Sequence, residues 1–364
     1  MKIAIFHNFL DNIGGAEKTD LLIARELGAD IYTTNIDTEK IRSMGFSTTN
    51  IFSIGKVPIN APWRQDATSW RFSRLTLGKK YDTYIIAGDW ALSGALHNHP
   101  NLWYVYSPSR EIWDLYEYTR KNLVPWYGQL IFDLWVHYHR QRNLRLLSSV
   151  DTIIATSQTV QGRIKKYLGK ESPVLYPPID TKIYRHGEDH GYWLSVNRLI
   201  THKRVEMQVQ AFSQMPQEKL IIVGSYEKSR HFDRYARYVH SITPPNVEIR
   251  SWVSDDKLRD LYAHCRGVIT TSLNEDFGLT PLEAMASGKP VIAPYEGGYK
   301  ETVLPSRTGL LIEGINSDKL KHTIQTFMAE TSSYRSACEA RAQQFDIQTF
   351  IIKLKEVLEY DQRA

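Results

Sequence analysis

The chain predicts an α/β fold of two doubly wound domains, each a parallel sheet flanked by helices. Three observations carry that expectation. Short apolar runs alternate with helix-like segments along all 364 residues. Most of those runs lack polar alternation, as strands of a parallel sheet covered on both faces do. A proline-rich break, Tyr176-Pro177-Pro178-Ile179-Asp180, forces extended backbone midway, and a polar stretch follows it to about His190.

Taken in order, the expected strands of the first domain are Ile3-Ala4-Ile5-Phe6, Tyr84-Ile85-Ile86-Ala87, Leu102-Trp103-Tyr104-Val105 and Thr152-Ile153-Ile154-Ala155. A new strand starts at Tyr192, and the clearest runs after the break are Trp193-Leu194-Ser195-Val196, Leu220-Ile221-Ile222-Val223, Val268-Ile269-Thr270-Thr271 and Val291-Ile292-Ala293. Helical spacing of apolar residues appears at Ala16–Leu27, Val205–Phe212, Asp255–Ala263, Pro281–Ser287 and roughly Gln348–Tyr360. The expected domains are therefore 1–180 and 190–345, with a last helix in 346–364.

Bulk properties narrow the class. A composition 42% hydrophobic and 23% charged is that of a globular protein with real cores. Cys265 and Cys338 alone make no disulfide framework, so a reducing compartment is the simpler expectation. The N-terminal apolar run is too short for a signal peptide and lacks a cleavage site. No window has the length of a bilayer span. Residues 1–186 carry 23 Lys/Arg against 17 Asp/Glu, whereas the remainder carries 22 against 23. The positive excess, and with it an acidic partner, belongs to the first half.

Four constellations share one design of strand end, loop with glycine or charge, then helix. The first is Gly14-Gly15-Ala16-Glu17-Lys18, where two glycines let backbone amides approach an anion or simply make a tight turn. The second is Arg198-Leu199-Ile200-Thr201-His202-Lys203 after the strand that opens the second domain; Arg198 can fork onto phosphate oxygens and Lys203 adds a second charge, though such pairs are often only solvated. The third is Glu275-Asp276-Phe277-Gly278-Leu279-Thr280-Pro281-Leu282-Glu283. Thr280 and Pro281 read as N-cap and first helical residue, so Glu283 has two accounts: an acceptor for sugar hydroxyls in the first helical turn, or the glutamate of a capping box. The fourth is Glu296-Gly297-Gly298-Tyr299-Lys300-Glu301, for which a turn is the alternative. Three of the four lie in the second domain and would converge on one crevice that meets the needs of a diphosphate and of hydroxyls. No Walker loop, dinucleotide fingerprint or Asp-x-Asp metal motif occurs.

These residues resemble a known family. E-D-F-G-L-T-P-L-E-A-M-A-S-G-K-P-V-I-A (275–293) resembles the signature of the retaining family 4 glycosyltransferases of the GT-B fold. V-N-R-L-I-T-H-K-R-V-E (196–206) is similar to that family's Arg…Lys segment, and G-G-A-E-K (14–18) to its N-terminal glycine loop. I-W-D-L-Y (112–116) and Y-P-P-I-D (176–180) resemble a mannosyltransferase-like branch that builds O-antigen and related lipid-linked glycans.

The resemblance implies a last helix crossing back to the first domain. It implies a nucleotide diphosphate sugar as donor, with GDP-mannose favoured and a UDP-sugar the other candidate, and no cofactor or metal. Arg198 and Lys203 would hold the diphosphate, Glu275 would orient the donor sugar, and Glu283 would accept from the ribose. The backbone of Phe277, Gly278, Leu279 and Thr280 would lie near sugar and phosphate, Gly14 and Gly15 would admit the diphosphate, and Trp252-Val253-Ser254 would lie near the nucleobase. One departure stands out: the branch has a histidine where this chain has Ser107, in Tyr106-Ser107-Pro108-Ser109-Arg110. Serine still hydrogen-bonds but cannot become a cation, so a polar contact is enough, or Arg110 substitutes, or the enzyme is slow or differently specific. A GT-B sugar-nucleotide epimerase and a non-catalytic sugar-nucleotide or glycan-binding protein stay open as other readings.

In the transfer mechanism so implied, Arg198, Lys203 and helix N-terminal amides take the developing phosphate charge, and the departing phosphate oxygen serves as base for the acceptor hydroxyl. The acceptor is a glycan or lipid-linked glycan. Residues 103–139 carry eleven aromatics beside Arg120, Lys121, Arg140, Arg142 and Arg145, and another basic stretch runs Arg64, Arg71, Arg74, Lys79, Lys80. Either the aromatics are core and the bases solvated, or aromatic bodies with cationic tips meet a lipid interface. The second account predicts a cytoplasmic protein docking peripherally on the inner membrane face. Nucleic acid is not an expected partner, because the bases interleave with acids and no reading motif occurs.

Overall fold

The computed structural model describes residues 1–12, 14–224, 230–251, 253–327 and 334–361. It divides into two compact units, Met1–Tyr176 with Phe350–Ala364, and Pro177–Thr349. Each is built on a six-stranded sheet in which all strand pairs are parallel.

The first sheet comprises β1 (Ile3–Phe6), β2 (Asp30–Thr33), β3 (Ile51–Ser53), β4 (Thr83–Ile86), β5 (Asn101–Val105) and β6 (Thr152–Ala155) in the order β3-β2-β1-β4-β5-β6. The second comprises β7 (Tyr192–Val196), β8 (Lys219–Val223), β9 (Val247–Arg250), β10 (Gly267–Ile269), β11 (Val291–Pro294) and β12 (Gly309–Ile312) in the order β12-β11-β10-β7-β8-β9. The two orders are the same one, read from opposite edges. In each the chain steps outward from its first strand, then returns to the other side of it. That reversal makes a switch point between β1 and β4 and another between β7 and β10, where the loops leaving adjacent strands diverge.

The central strands are buried on both faces because their residues are apolar on both. In the first unit Phe6 meets Phe72 and Tyr84 at ring-centroid distances of 5.6 and 5.5 Å, over a core that includes Trp103 and Val105. In the second, Leu194 pairs with Val268 on one side and Ile221 on the other, beside the fully buried Trp193. The eight expected strands are all present. The four not expected are β2, β3, β9 and β12, and three of these are sheet edges. Edge strands are half solvated and carry polar residues, as Glu248 and Arg250 in β9 do.

One helix start differs from expectation. The helix after β10 spans Leu279–Ala286 with Gly278 as its N-cap, so Thr280 is the second helical residue and Glu283 lies beyond the first turn. Gly278 has φ 95° and ψ 82°, a left-handed conformation that turns the chain into the helix two residues early. Pro281 is tolerated as the third helical residue because the amides of a first turn have no intrahelical partner. The C-terminal helix spans Ile347–Asp361, and its Phe350 ring lies 5.8 Å from that of Tyr104.

Candidate functional site

The loops that leave β7 and β10 meet at the switch point of the second sheet. Lys203 closes a 3₁₀ turn, Thr201–Lys203, and its ammonium donates to Glu275 Oε2 at 2.7 Å. Both side chains are largely but not fully covered, at 14% and 20% exposure. Two sequence-predicted residues, 72 positions apart, are thus one ion pair. Arg198 lies at the head of the same β7 loop with its side chain exposed, while Leu199 and Ile200 anchor that loop in the core.

Arg204 locks the two loops together. It adopts φ 51°, the left-handed region that non-glycine residues rarely occupy. That turn aims its guanidinium at the β10 loop, where Nε donates to the Thr271 carbonyl (2.6 Å) and a terminal nitrogen to the Ser272 carbonyl (3.1 Å) and to Glu296 (2.9 Å). Thr271 returns a hydroxyl to the Lys203 carbonyl at 2.7 Å. Sequence reasoning missed Arg204, because nothing local in the sequence marks a left-handed arginine.

The Glu296–Glu301 segment supports this loop. Glu296 also accepts from the Asn274 amide, and the Gly298 amide donates to the Glu275 carbonyl at 2.8 Å. A Cβ on Gly297 would collide with the Glu275 carbonyl, so close backbone approach explains that glycine better than a turn alone. Tyr299 follows, its hydroxyl 2.5 Å from Thr270 Oγ1, and burial holds its phenol protonated well above the usual range. Phe277 is buried, and Leu279 and Thr280 are half-buried at the helix start.

Glu283 is not a capping-box residue, since its helix starts at Leu279 and no side chain caps it. Its carboxylate accepts from the Tyr262 hydroxyl at 2.7 Å. Tyr184 bonds it as well; burial first, and then the Glu283 charge, push both phenols well above the ordinary tyrosine range, so both remain donors. A carboxylate has about four acceptor positions, and two phenols do not exhaust them. Val253 is half-buried just ahead of the helix Asp255–His264 that carries Tyr262. Trp252 lies outside the described residues.

In the first unit, Gly14 caps the helix Gly15–Leu27 in an extended conformation (φ −115°), which excludes a left-handed turn as its reason. The Gly14 amide donates to Glu17 Oε2 at 2.8 Å, so the capping-glutamate role considered for Glu283 is filled here by Glu17. Behind the loop sits a charged cluster that sequence reasoning also missed. His7, 3% exposed at the end of β1, places Nδ1 2.6 Å from Asp20 and Nε2 3.5 Å from Glu17. Burial alone would lower the imidazole pKa, but the bonds to Asp20 and Glu17 outweigh it and push it up to about 10. Asp20 also accepts from the Tyr106 hydroxyl at 2.6 Å, joining the glycine loop to the segment before Ser107. The available signal was a histidine ending an apolar strand and an acid on the inner face of a helix.

Ser107 is buried and accepts from Arg163 at 2.9 Å. Arg110 is engaged with Asp114, at 2.8 Å for its closest contact, and Asp114 also faces Arg163 at 3.4 Å. The position that holds a histidine in the resembled branch therefore has a guanidinium one bond behind it.

Residues 178–345 match the family model described as glycosyl transferases group 1. An uncharacterized glycosyltransferase of Methanocaldococcus jannaschii is 28% identical over 176 residues, which is 48% of this chain and 48% of that protein. The chain thus spans about half the length of that relative. The alpha-1,3/1,6-mannosyltransferase ALG2 of Kluyveromyces lactis is 27% identical over 83% of this chain and 71% of its own length. Among solved structures, HepE of Anabaena in complex with UDP and glucose superposes with a TM-score of 0.78 at 21% identity, covering 99% of both chains. The fold is GT-B.

Proposed function

We propose that the chain is a retaining hexosyltransferase of family 4, in its mannosyltransferase-like branch. It moves mannose from a nucleotide diphosphate sugar to a glycan or lipid-linked glycan, without a metal. The observation that carries this reading is the Lys203–Glu275 pair at the β7/β10 switch point, with Arg198 on the same loop. An ammonium has three donors and Glu275 takes one, so the pair suits a diphosphate on one side and a sugar hydroxyl on the other. Glu275, fixed by Lys203, orients the sugar. Arg198 and Lys203 stabilise the charge that grows on the departing phosphate, and the phosphate oxygen accepts the acceptor's proton. Glu283, held by two phenols, accepts from the ribose.

Mannose is supported by the relatives named as mannosyltransferases, and a UDP-linked donor by the solved complexes with UDP. Thermal shift against a panel of sugar nucleotides separates the donors, because a ligand that binds only the folded state raises the melting point. GDP-mannose is expected to give the largest shift, followed by acceptor-dependent release of GDP that survives EDTA, with the product retaining the donor's anomeric configuration. Release independent of acceptor, with an epimerised sugar, would establish an epimerase instead. The replacement of histidine by Ser107 favours a second reading, a non-catalytic binding protein; donor binding with neither transfer nor hydrolysis would establish it.

A further inference from the structure

The helix Gln129–Leu146 wears its apolar residues on the wrong side. Its buried positions are Val136, His139, Asn143 and Leu146, two of them polar. Leu130, Ile131, Leu134 and Tyr138 face outward instead, and the 3₁₀ turn Trp126–Gly128 ahead of the helix adds Trp126 and Tyr127. These six are between 61% (Tyr138) and 84% (Trp126) exposed. The helix Trp63–Phe72 packs alongside, with Asp66 bonded to His139 at 2.7 Å, and exposes Trp63 and Trp70. The aromatics of 103–139 thus divide: Trp103 and Tyr104 are core, whereas Trp126, Tyr127 and Tyr138 are surface. Surface Trp, Tyr, Leu and Ile gathered on adjoining elements exceed the scattered apolar exposure that an ordinary surface carries.

The charge around this face selects its occupant. Residues 117–146 hold five Arg/Lys against two Asp/Glu, and one of those acids, Asp133, is tied to Arg120 at 2.8 Å. Lys121 and Arg145 are exposed, and Arg74 lies over the Trp70 ring at 4.0 Å. A second copy of the chain would set cations against cations. An anionic bilayer neutralises them while its interface accepts tryptophan and tyrosine rings and takes up leucine and isoleucine.

We infer that the outward face of Trp126–Tyr138, with Trp63 and Trp70 beside it, seats the protein on an anionic lipid surface. This does not depend on the sugar-transfer reading, and it gives that reading a route to a lipid-linked acceptor. The test is co-sedimentation of the full chain, at low salt, with vesicles of phosphatidylethanolamine and phosphatidylglycerol and with vesicles of phosphatidylcholine alone. Binding to the anionic vesicles is expected to be tighter by about tenfold or more and to weaken with salt. Ile131→Asp/Leu134→Asp should abolish it, and Trp126→Ala/Tyr127→Ala, outside the long helix, should do likewise. Lys121→Glu/Arg145→Glu should remove the preference for anionic lipid. Melting temperature and the shift given by sugar nucleotides should stay at wild-type values in all three variants, so that loss of seating is distinguished from loss of the donor site. Wild-type failure to bind anionic vesicles overturns the inference, as do variants that bind unchanged. A dimer in solution that the aspartates dissociate also overturns it and makes the face a self-association surface.

Discussion

The two units share one strand order, yet they handle positive charge after their first strand in opposite ways. In the first unit the cation is His7, sealed in the interior with Asp20 and Glu17 as counterions. In the second it is Lys203, partly open to solvent and matched, among the described residues, by Glu275, with Arg198 exposed on the same loop. A buried ion must be balanced where it stands, so His7 is committed to holding the glycine loop in place. A cation at a loop surface with one counterion can still accept an anionic ligand. The same topology therefore yields a brace in one unit and, on the proposed reading, a binding edge in the other.

Five measurements break or sharpen that contrast. Asp20→Ala leaves the buried His7 without its closer counterion and the Tyr106 hydroxyl without its acceptor, and should cost about 3–5 kcal/mol of stability in denaturant unfolding. A loss near that of a surface substitution would mean the cluster is no brace. Arg198→Ala/Lys203→Ala should lower turnover by about two orders of magnitude or more with little change in melting temperature; wild-type rates would remove the binding edge.

The contrast has a pH signature as well. The pKa of His7 is raised in the folded protein to about 10 from the ordinary 6.5. Its contribution to stability is therefore full below about pH 6.5 and is lost as pH rises toward 10. The melting temperature should fall across that window, and His7→Gln should flatten the profile.

The smaller effects concern the helix after β10. Glu283→Gln should raise the donor KM by about tenfold, since hydrogen bonds to a charged acceptor are worth about 1.5–3 kcal/mol, while kcat stays near wild type. Thr280→Ala should change stability by no more than about 0.5 kcal/mol, because Thr280 caps nothing.

The sequence was most legible where backbone burial imposes composition. Strands buried on both faces, such as Ile3–Phe6 and Val291–Pro294, must be apolar throughout, whereas the edges β3 and β9 need not be and went unseen. At the candidate site, strand ends drew attention to Arg198, Lys203 and Glu275, because charge directly after an apolar run is conspicuous; the pairing of Lys203 with Glu275 is visible only in the fold. The start of the Leu279–Ala286 helix was misread because Thr-Pro carries a local cap signal, while the left-handed Gly278 that decides the matter is a property of the loop. Arg204, and the bonds of His7 to Asp20 and of Tyr106 to Asp20, depend on contacts between segments distant in sequence, which no local pattern encodes.

The division at Tyr176 and Phe350 makes the second unit an insertion, with sequence of the first on either side of it. Pro177–Thr349 is contiguous and so can complete its folding during synthesis, whereas the first unit must wait for the final residues to emerge. A chain truncated before Phe350 would leave the Tyr104 ring without its neighbour and should damage the half of the molecule farther from the cut in sequence.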